Sequence, residues 1–371
     1  MGRWRGSLAV AAATAGLAFA AITAVPMATA LPTAKAADAK AAAVASAATE
    51  FAAGPPPAWA YGFVLPVTEQ PKAAPGQPAV QDDGSQRQIP GATLSFTLTQ
   101  VRNVYGPADW FPGDHPSMPA IVSSGRKKAM IQACGLCHYP NGKGRQENAG
   151  VAGLPYSYFV QTMADFKNGL RKSSDPRKAN TNNMIRFAAG MTDDEVKAAA
   201  SYFSSMKWTP WIRVVETSAV PKTRVQFGMF LKLEGNETEP LGKRIVESPE
   251  DAERTELLRD PHSGFIAYVP VGSIKKGEAL VMRGGGGRTT ACTACHGADL
   301  MGLGPVPGIA GRSPSYLVRQ LYDMQVGNRR GLWTELMKPV VEKLTSDDMI
   351  AIAAYASSRS VGGTQTSQAK K

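Results

Sequence analysis

The sequence predicts a mainly α fold: two tandem copies of one helical domain, preceded by an extended N-terminal strap and separated by a partly β insertion. Three observations predict it. Cys134-Gly135-Leu136-Cys137-His138 returns in type as Cys292-Thr293-Ala294-Cys295-His296. Residues after each motif keep a common register: Tyr158 and Tyr316 follow the second motif cysteine by 21 positions, Asp165 and Asp323 by 28, Gly169 and Gly327 by 32, Arg171 and Arg329 by 34. Apolar residues then recur at helical spacing in both copies. Together these mark an internal repeat of about 85 residues.

The motif has a chemical reason. Two thiols three positions apart on one helical turn can each add to one of the two vinyl groups of a haem. The next residue projects an imidazole at the iron, which is the c-type attachment signature. A lone Cys-x-x-Cys also suits a zinc half-site or a thioredoxin-like redox pair. Zinc wants four closed ligands, however, and here each pair is followed at once by His. All four cysteines belong to the motifs, leaving none for a disulfide or a free nucleophile. Cys134, Cys137, Cys292 and Cys295 are therefore the expected attachment points of two covalently bound haem c groups, with His138 and His296 as proximal iron ligands.

In chain order, 371 residues suggest two or three domains, and 37 Gly with 27 Pro suggest a loop-rich globule. Residues 1–36 read as a secretory signal peptide: Arg3 and Arg5, an apolar run from Leu8, and small-residue cleavage sites at Ala28-Thr29-Ala30 and Ala34-Lys35-Ala36. That predicts a periplasmic protein. The run is long for a signal core, so an uncleaved membrane anchor facing the periplasm is the alternative. Cleavage after Ala36 removes three basic residues and no acid from a chain of formal charge +11, so the mature protein stays basic. Residues 37–120 form an Ala/Pro-rich tether and strap, stiffened at Gly54-Pro55-Pro56-Pro57. Within it, Leu94–Val101 alternates as a strand does.

The first repeat spans 121–206 and the second 272–360, with 361–371 a flexible tail. Two helices are expected after each motif. The first carries Phe159, Met163 and Phe166 in one copy and Leu317, Leu321 and Met324 in the other. The last opens on a capping box, Thr192…Glu195 or Thr345…Asp348. Its apolar stripe is Val196, Ala199, Ala200 and Phe203, or Met349, Ile352, Ala353 and Ala356. Residues 207–271 are too long for a linker, and Ile212–Val215 and Val225–Leu233 look extended. This segment either packs the two domains together or offers a docking face. Gly284–Gly287 lacks the Lys-Ser/Thr of a phosphate loop and reads as a flexible loop.

The other face of each iron separates carriers from catalysts. Met184 and Met337 each precede their capping threonine by eight residues, one equivalent place in a loop before the last helix. Met191 competes in the first repeat, but its counterpart is Leu344, which marks it as core. Of the four histidines, two are proximal. His115, in a Pro/Gly/Asp turn, is a candidate iron ligand but reads rather as a surface residue, and His262 is the other spare. Met184 and Met337 are the expected sixth ligands. A thioether favours Fe(II), and six-coordination leaves no place for substrate.

With these residues the chain resembles the two-domain, two-haem class I cytochromes c of the c-four type. The resemblance rests on the two motifs with Met184 and Met337, on Val306-Pro307-Gly308-Ile309-Ala310-Gly311, on Leu344-Thr345-Ser346-Asp347-Asp348, and on Ala354-Tyr355. It covers both repeats. It implies two all-α domains with their haems near one another, and periplasmic electron transfer to a terminal oxidase or from a dehydrogenase. In that family a proline carbonyl holds the proximal imidazole. Pro307 fits this pattern, whereas its register partner in the first repeat is Ala149. The strap and the insertion are absent from the compact family.

The leading functional expectation is an electron carrier, not an enzyme, exchanging single electrons with redox proteins such as a dehydrogenase, a terminal oxidase or another cytochrome. Its basic balance suits an acidic patch on the partner. The stretch Lys167–Lys178 reads either as that docking face or as a solvated helix end. A two-haem peroxidase or a thiosulfate-dehydrogenase-like enzyme would need an open sixth position. A dedicated cytochrome subunit of a dehydrogenase would use the insertion as its binding face. Scattered charge and the expected compartment speak against nucleic acid.

Overall fold

Short caps and prolines decide where helix begins in this chain. The computed structural model describes residues 55–64 and 80–361. The expected leader, most of the tether and residues 362–371 lie outside them. In the strap, a 3₁₀ turn covers Ala58–Tyr61, and the first helical turn, α1, is Leu98–Val101. The expected strand at 94–101 is therefore corrected. Only Phe96 makes a strand-like bridge, to Arg87. Thr97 then caps α1, accepting from the Gln100 amide at 3.3 Å while the Gln100 side chain accepts from the Thr97 amide at 2.8 Å. A reciprocal cap satisfies two orphan donors and wins over weak alternation.

The strap packs in two places. Ile89, Leu98, Val101 and Trp110 form a cluster with Leu257 and Leu258 of the 207–271 segment, and the Trp110 indole donates to the Leu258 carbonyl at 2.8 Å. Ala60 and Tyr61 instead enter the core around the second motif.

Around the first motif lie α2 (Ala120–Ser123), α3 (Cys134–His138), α4 (Tyr156–Lys167), α5 (Ala179–Gly190) and α6 (Asp193–Ser204). Three helices follow the motif rather than the expected two. The additional one, α5, buries Phe187 and Ala188 in the core with Met163 and Phe166 of α4. Met184, expected in a loop, sits within α5. Thr192 caps α6, and Arg126 clamps the capping Glu195 at 2.7 Å. Phe159 stacks on Phe203 at 6.0 Å where α4 meets α6.

The 207–271 segment holds β1 (Ile212–Glu216), β2 (Ala219–Pro221), β3 (Thr223–Gln226), β4 (Met229–Lys232), β5 (Thr238–Pro240), β6 (Val246–Pro249) and β7 (Phe265–Val269). β7 pairs in parallel with β1 and antiparallel with β6. The expected extended run 225–233 is folded back as the β3–β4 hairpin, because Phe227 and Gly228 take φ of 51° and 81°. Two positive φ values in succession suit the tight turn of a hairpin.

Around the second motif lie α7 (Ser273–Arg283), α8 (Thr293–His296), the short hairpin β8 (Gly302–Leu303) with β9 (Val306–Pro307), α9 (Pro314–Gln325), α10 (Lys338–Val341) and α11 (Ser346–Ser358). Met337 stands between the 3₁₀ turn Thr334–Leu336 and α10, and so is not in an open loop either. Every residue of α11 from Asp348 to Ser357 is buried, because α7, α9 and β1 all pack on it. The register of α7 in the first repeat contains Pro116 and Pro119. Proline cannot donate within a helix, so only α2 survives there.

α7 crosses α11 at Gly277, where a Cβ would stand 2.0 Å from the Ala351 carbonyl oxygen. That contact is backbone and cannot swing aside. Gly277→Ala should therefore lower stability by about 3 kcal/mol, the upper range for overpacking, read as a fall in the denaturant midpoint at unchanged slope.

Candidate functional site

Each motif is a single helical turn that the chain leaves abruptly. Gly297, after His296, takes φ 84° and ψ 155°. Tyr139, after His138, takes nearly the same conformation at φ 60° and ψ 156°. That region is essentially reserved for glycine and costs a side-chain-bearing residue about 1–3 kcal/mol. The Tyr139 side chain is buried beneath the Arg259 guanidinium, 5.8 Å from its ring centroid, and Arg259 also donates to the Leu136 carbonyl inside α3. The 207–271 segment thus holds down the first motif.

The exit turn lets each imidazole meet a backbone carbonyl 11 residues on. His138 Nδ1 donates to the Ala149 oxygen at 2.8 Å, and His296 Nδ1 donates to the Pro307 oxygen at 2.8 Å. The alanine in the first repeat makes no difference, because the acceptor is main chain. Burial pushes both imidazoles below their ordinary pKa, against the opposing effect of these bonds. Each ring is thus held neutral with its proton on Nδ1, leaving the Nε2 lone pair as a metal ligand.

A cavity opens beside α3. Cys134, Cys137 and His138 line it with Val151, Leu154, Phe159, Met163, Phe166, Phe187 and Phe203, while Arg171, Lys178, Tyr316, Arg319, Gln320 and Asp323 line its polar edge. The residues fit a haem: thiols and an imidazole to attach it, apolar side chains to enclose a flat ring, and cations to meet its carboxylates. Met184 and Met191 both line the cavity, so lining alone does not separate them. At the second motif, Cys292, Leu317, Leu321, Met324 and Met337 pack against one core, and His296 is buried. Burial raises the thiols, Cys134 to about 12 and Cys292 to about 11, so both are neutral nucleophile precursors and not thiolates.

The register pairs noticed in sequence meet each other. Arg171 donates to the Tyr316 hydroxyl at 2.9 Å, and Arg329 donates to the Tyr158 hydroxyl at 2.7 Å. Gln320 Oε1 accepts from both guanidinia, at 2.8 and 3.0 Å. The backbones bridge in the same crossed sense, Lys172 N to Asn328 O and Arg330 N to Leu170 O, each at 2.7 Å. Burial opposes ionisation of Tyr158, but Arg329 and Arg171 outweigh it and bring its hydroxyl down to about 8. A second tie joins the repeats at Arg312, which stacks on Trp208 and donates to the carbonyls of Gly150 and Ala152 at 2.8 and 3.0 Å. Repetition in the sequence revealed the pairs but not that each reaches into the other copy.

The stretch Lys167–Lys178 is neither wholly a docking face nor wholly solvated. Lys167 and Lys172 are exposed, whereas Arg171 and Lys178 are buried. The spare histidines each face a carboxylate: His115 Nε2 lies 3.2 Å from Asp109, and His262 Nε2 lies 2.5 Å from Asp114. The His115 side chain is 4 % exposed, so its expected surface position is corrected. It packs edge-on against Tyr202.

The cytochrome c family profile matches residues 123–207. Cytochrome c-554(548) of Halomonas halodenitrificans is 41 % identical over 69 residues, 18 % of this chain and 83 % of that protein. The chain belongs to the cytochrome c family. Membership carries covalently bound haem c with it, which agrees with the lining of the first cavity. Among further relatives of this cytochrome is a protein of Stutzerimonas stutzeri (strain A1501) named thiosulfate dehydrogenase electron acceptor. It is 24 % identical over 253 residues, 67 % of this chain and 88 % of its own. Cytochrome c4 of Stutzerimonas stutzeri is 30 % identical over 130 residues, 32 % of this chain and 61 % of its own. The cytochrome is thus similar to the dihaem c-four type.

His115 yields a pH signature. The hydrogen bond that His115 donates to Asp109 raises its pKa, partly offset by burial. A raised folded value means the stabilisation is fully present below the unfolded pKa of about 6.5 and fades as pH rises through the folded value. Chemical denaturation of the parent and His115→Gln should therefore differ more at about pH 5.5 than at about pH 8.5.

Proposed function

We propose that this cytochrome carries two covalently bound haem c groups and passes single electrons in the periplasm, between a dehydrogenase or quinol-oxidising complex and a terminal acceptor. Cys134 and Cys137 would form the thioethers of the first haem, Cys292 and Cys295 those of the second. His138 with Met184 and His296 with Met337 would be the axial pairs. The observation that carries this reading is the matched pair of motif turns, each imidazole fixed through Nδ1 to a carbonyl at the same distance and the same spacing.

A bound haem supplies reversible one-electron redox chemistry. The chain's own residues do the rest. The Ala149 and Pro307 carbonyls orient the imidazoles and make Nε2 a stronger donor. Phe159, Met163 and Phe203 line the first cavity and would exclude water from a haem held there. A thioether on each remaining face leaves no open position, which argues for carriage over catalysis. The signal-peptide pattern read in residues 1–36 supports the periplasmic assignment.

The partner is best read as a dehydrogenase of a small substrate, because a relative matching 253 residues is named as an electron acceptor of one. Positive charge on this chain would steer it to an acidic face there. A catalytic haem site is the competing reading.

The absorption spectrum of the oxidised protein separates the two. Two haems' worth of the weak methionine-to-iron band near the red edge is expected. Met184→Ala and Met337→Ala should each remove half of it, and Met191→Ala none. A high-spin haem in the unsubstituted protein would give the catalytic reading the advantage.

A further inference from the structure

The polar edge of the first cavity is lined by three buried cations: Arg171, Lys178 and Arg319 are 7, 4 and 5 % exposed. Among the described residues, none of them has a carboxylate oxygen within the 4.0 Å of an ion pair. The nearby carboxylates are already engaged. Glu147 pairs with Arg145 at 2.6 Å and Asp175 with Arg177 at 2.7 Å. Asp323 accepts from Tyr61 at 2.7 Å and Ser174 at 2.6 Å, and burial holds its carboxyl above the usual range.

The three cations touch only neutral groups. Arg171 donates to Tyr316 and Gln320, and Arg319 donates to the carbonyls of Ala60 and Gln146 at 3.0 and 2.9 Å. Among the described residues, the Lys178 ammonium has no hydrogen-bond partner. Burial first, and Arg319 next, bring its pKa down to about 7. Charge left buried without an opposite charge is among the costliest arrangements in a protein. Asp323 and Glu247 act on Arg319, and Glu147 and Asp175 on Lys178, only from beyond ion-pair distance, so the cluster favours a further anion brought to the cavity. The same cavity is lined by the thiols and imidazole described above. A haem brings two carboxylates on one edge of an apolar ring, which matches a lining that combines attachment groups, apolar side chains and cations.

We propose that Arg171, Lys178 and Arg319 receive the propionates of the first haem, so that a cation from the second repeat completes the first repeat's pocket. The proposal rests on the haem reading above. It also makes the two sites unequal. Arg319 has Gln161 as its register partner, and residues 331–336, which correspond to the neighbourhood of Lys178, contain no Lys or Arg. Arg171 has its counterpart in Arg329, so Lys178 and Arg319 carry the difference; positive charge at the propionates favours the reduced iron, and these two cations raise the potential of the first haem and not the second.

The test is redox potentiometry of the purified holoprotein, after the haem content of each sample has been measured. Lys178→Met should lower one of the two midpoint potentials and leave the other in place. Lys178→Arg should restore it, and the exposed Lys197→Met should change neither. If K178M assembles poorly, Lys178→Gln carries the same comparison. Two haems present with both potentials unmoved, or moved equally, would overturn the clamp while sparing the carrier reading. A parent protein without haem at the first motif would overturn both.

Discussion

The structure depends on a hydrogen bond from an imidazole to a main-chain carbonyl, made twice. A histidine directly after a pair of cysteines is useful only if its ring is aimed and its proton is on the far nitrogen. The carbonyls of Ala149 and Pro307 achieve both, each at 2.8 Å. To bring ring and carbonyl together the chain must turn sharply after the histidine. Gly297 does so at no steric cost, whereas Tyr139 does so under strain held by packing beneath Arg259. Strain at a site that surrounding contacts over-determine is a familiar mark of function.

From that bond outward the organisation is one of mutual dependence. Arg171 and Arg329 each reach a tyrosine of the other repeat, so the contact is self-complementary in the way of a two-fold interface within one chain. The symmetry then breaks. Gln320 serves both guanidinia, Arg319 enters the first cavity, and the strap delivers Tyr61 to Asp323. The segment between the repeats adds a sheet whose strand β1 packs on α11.

Chemistry that lives in short spacings was legible in the sequence. The motifs, the capping boxes at Thr192 and Thr345, and the apolar stripe of α6 needed only local geometry. So did the register of the repeat. Features that depend on distant partners were not legible. Nothing near Lys178 in sequence says that Arg319 and the β3–β4 hairpin will bury it. The strand expected at Leu94 lost to a cap at Thr97, and the run through Phe227 lost to a turn, because alternation alone does not register reversal. Met184 and Met337 were placed by analogy between the copies, but one lies within a twelve-residue helix and the other before a four-residue one. Pro339 makes that difference, since it stands where the second copy would otherwise continue helix.

The most direct test of the central claim, that both motif turns are haem attachment sites, is the intact mass of the purified protein under denaturing conditions together with a thiol titration. The account predicts a mass greater than the mature polypeptide by two haems, and no titratable thiol. A polypeptide of unmodified mass with four reactive thiols would contradict it.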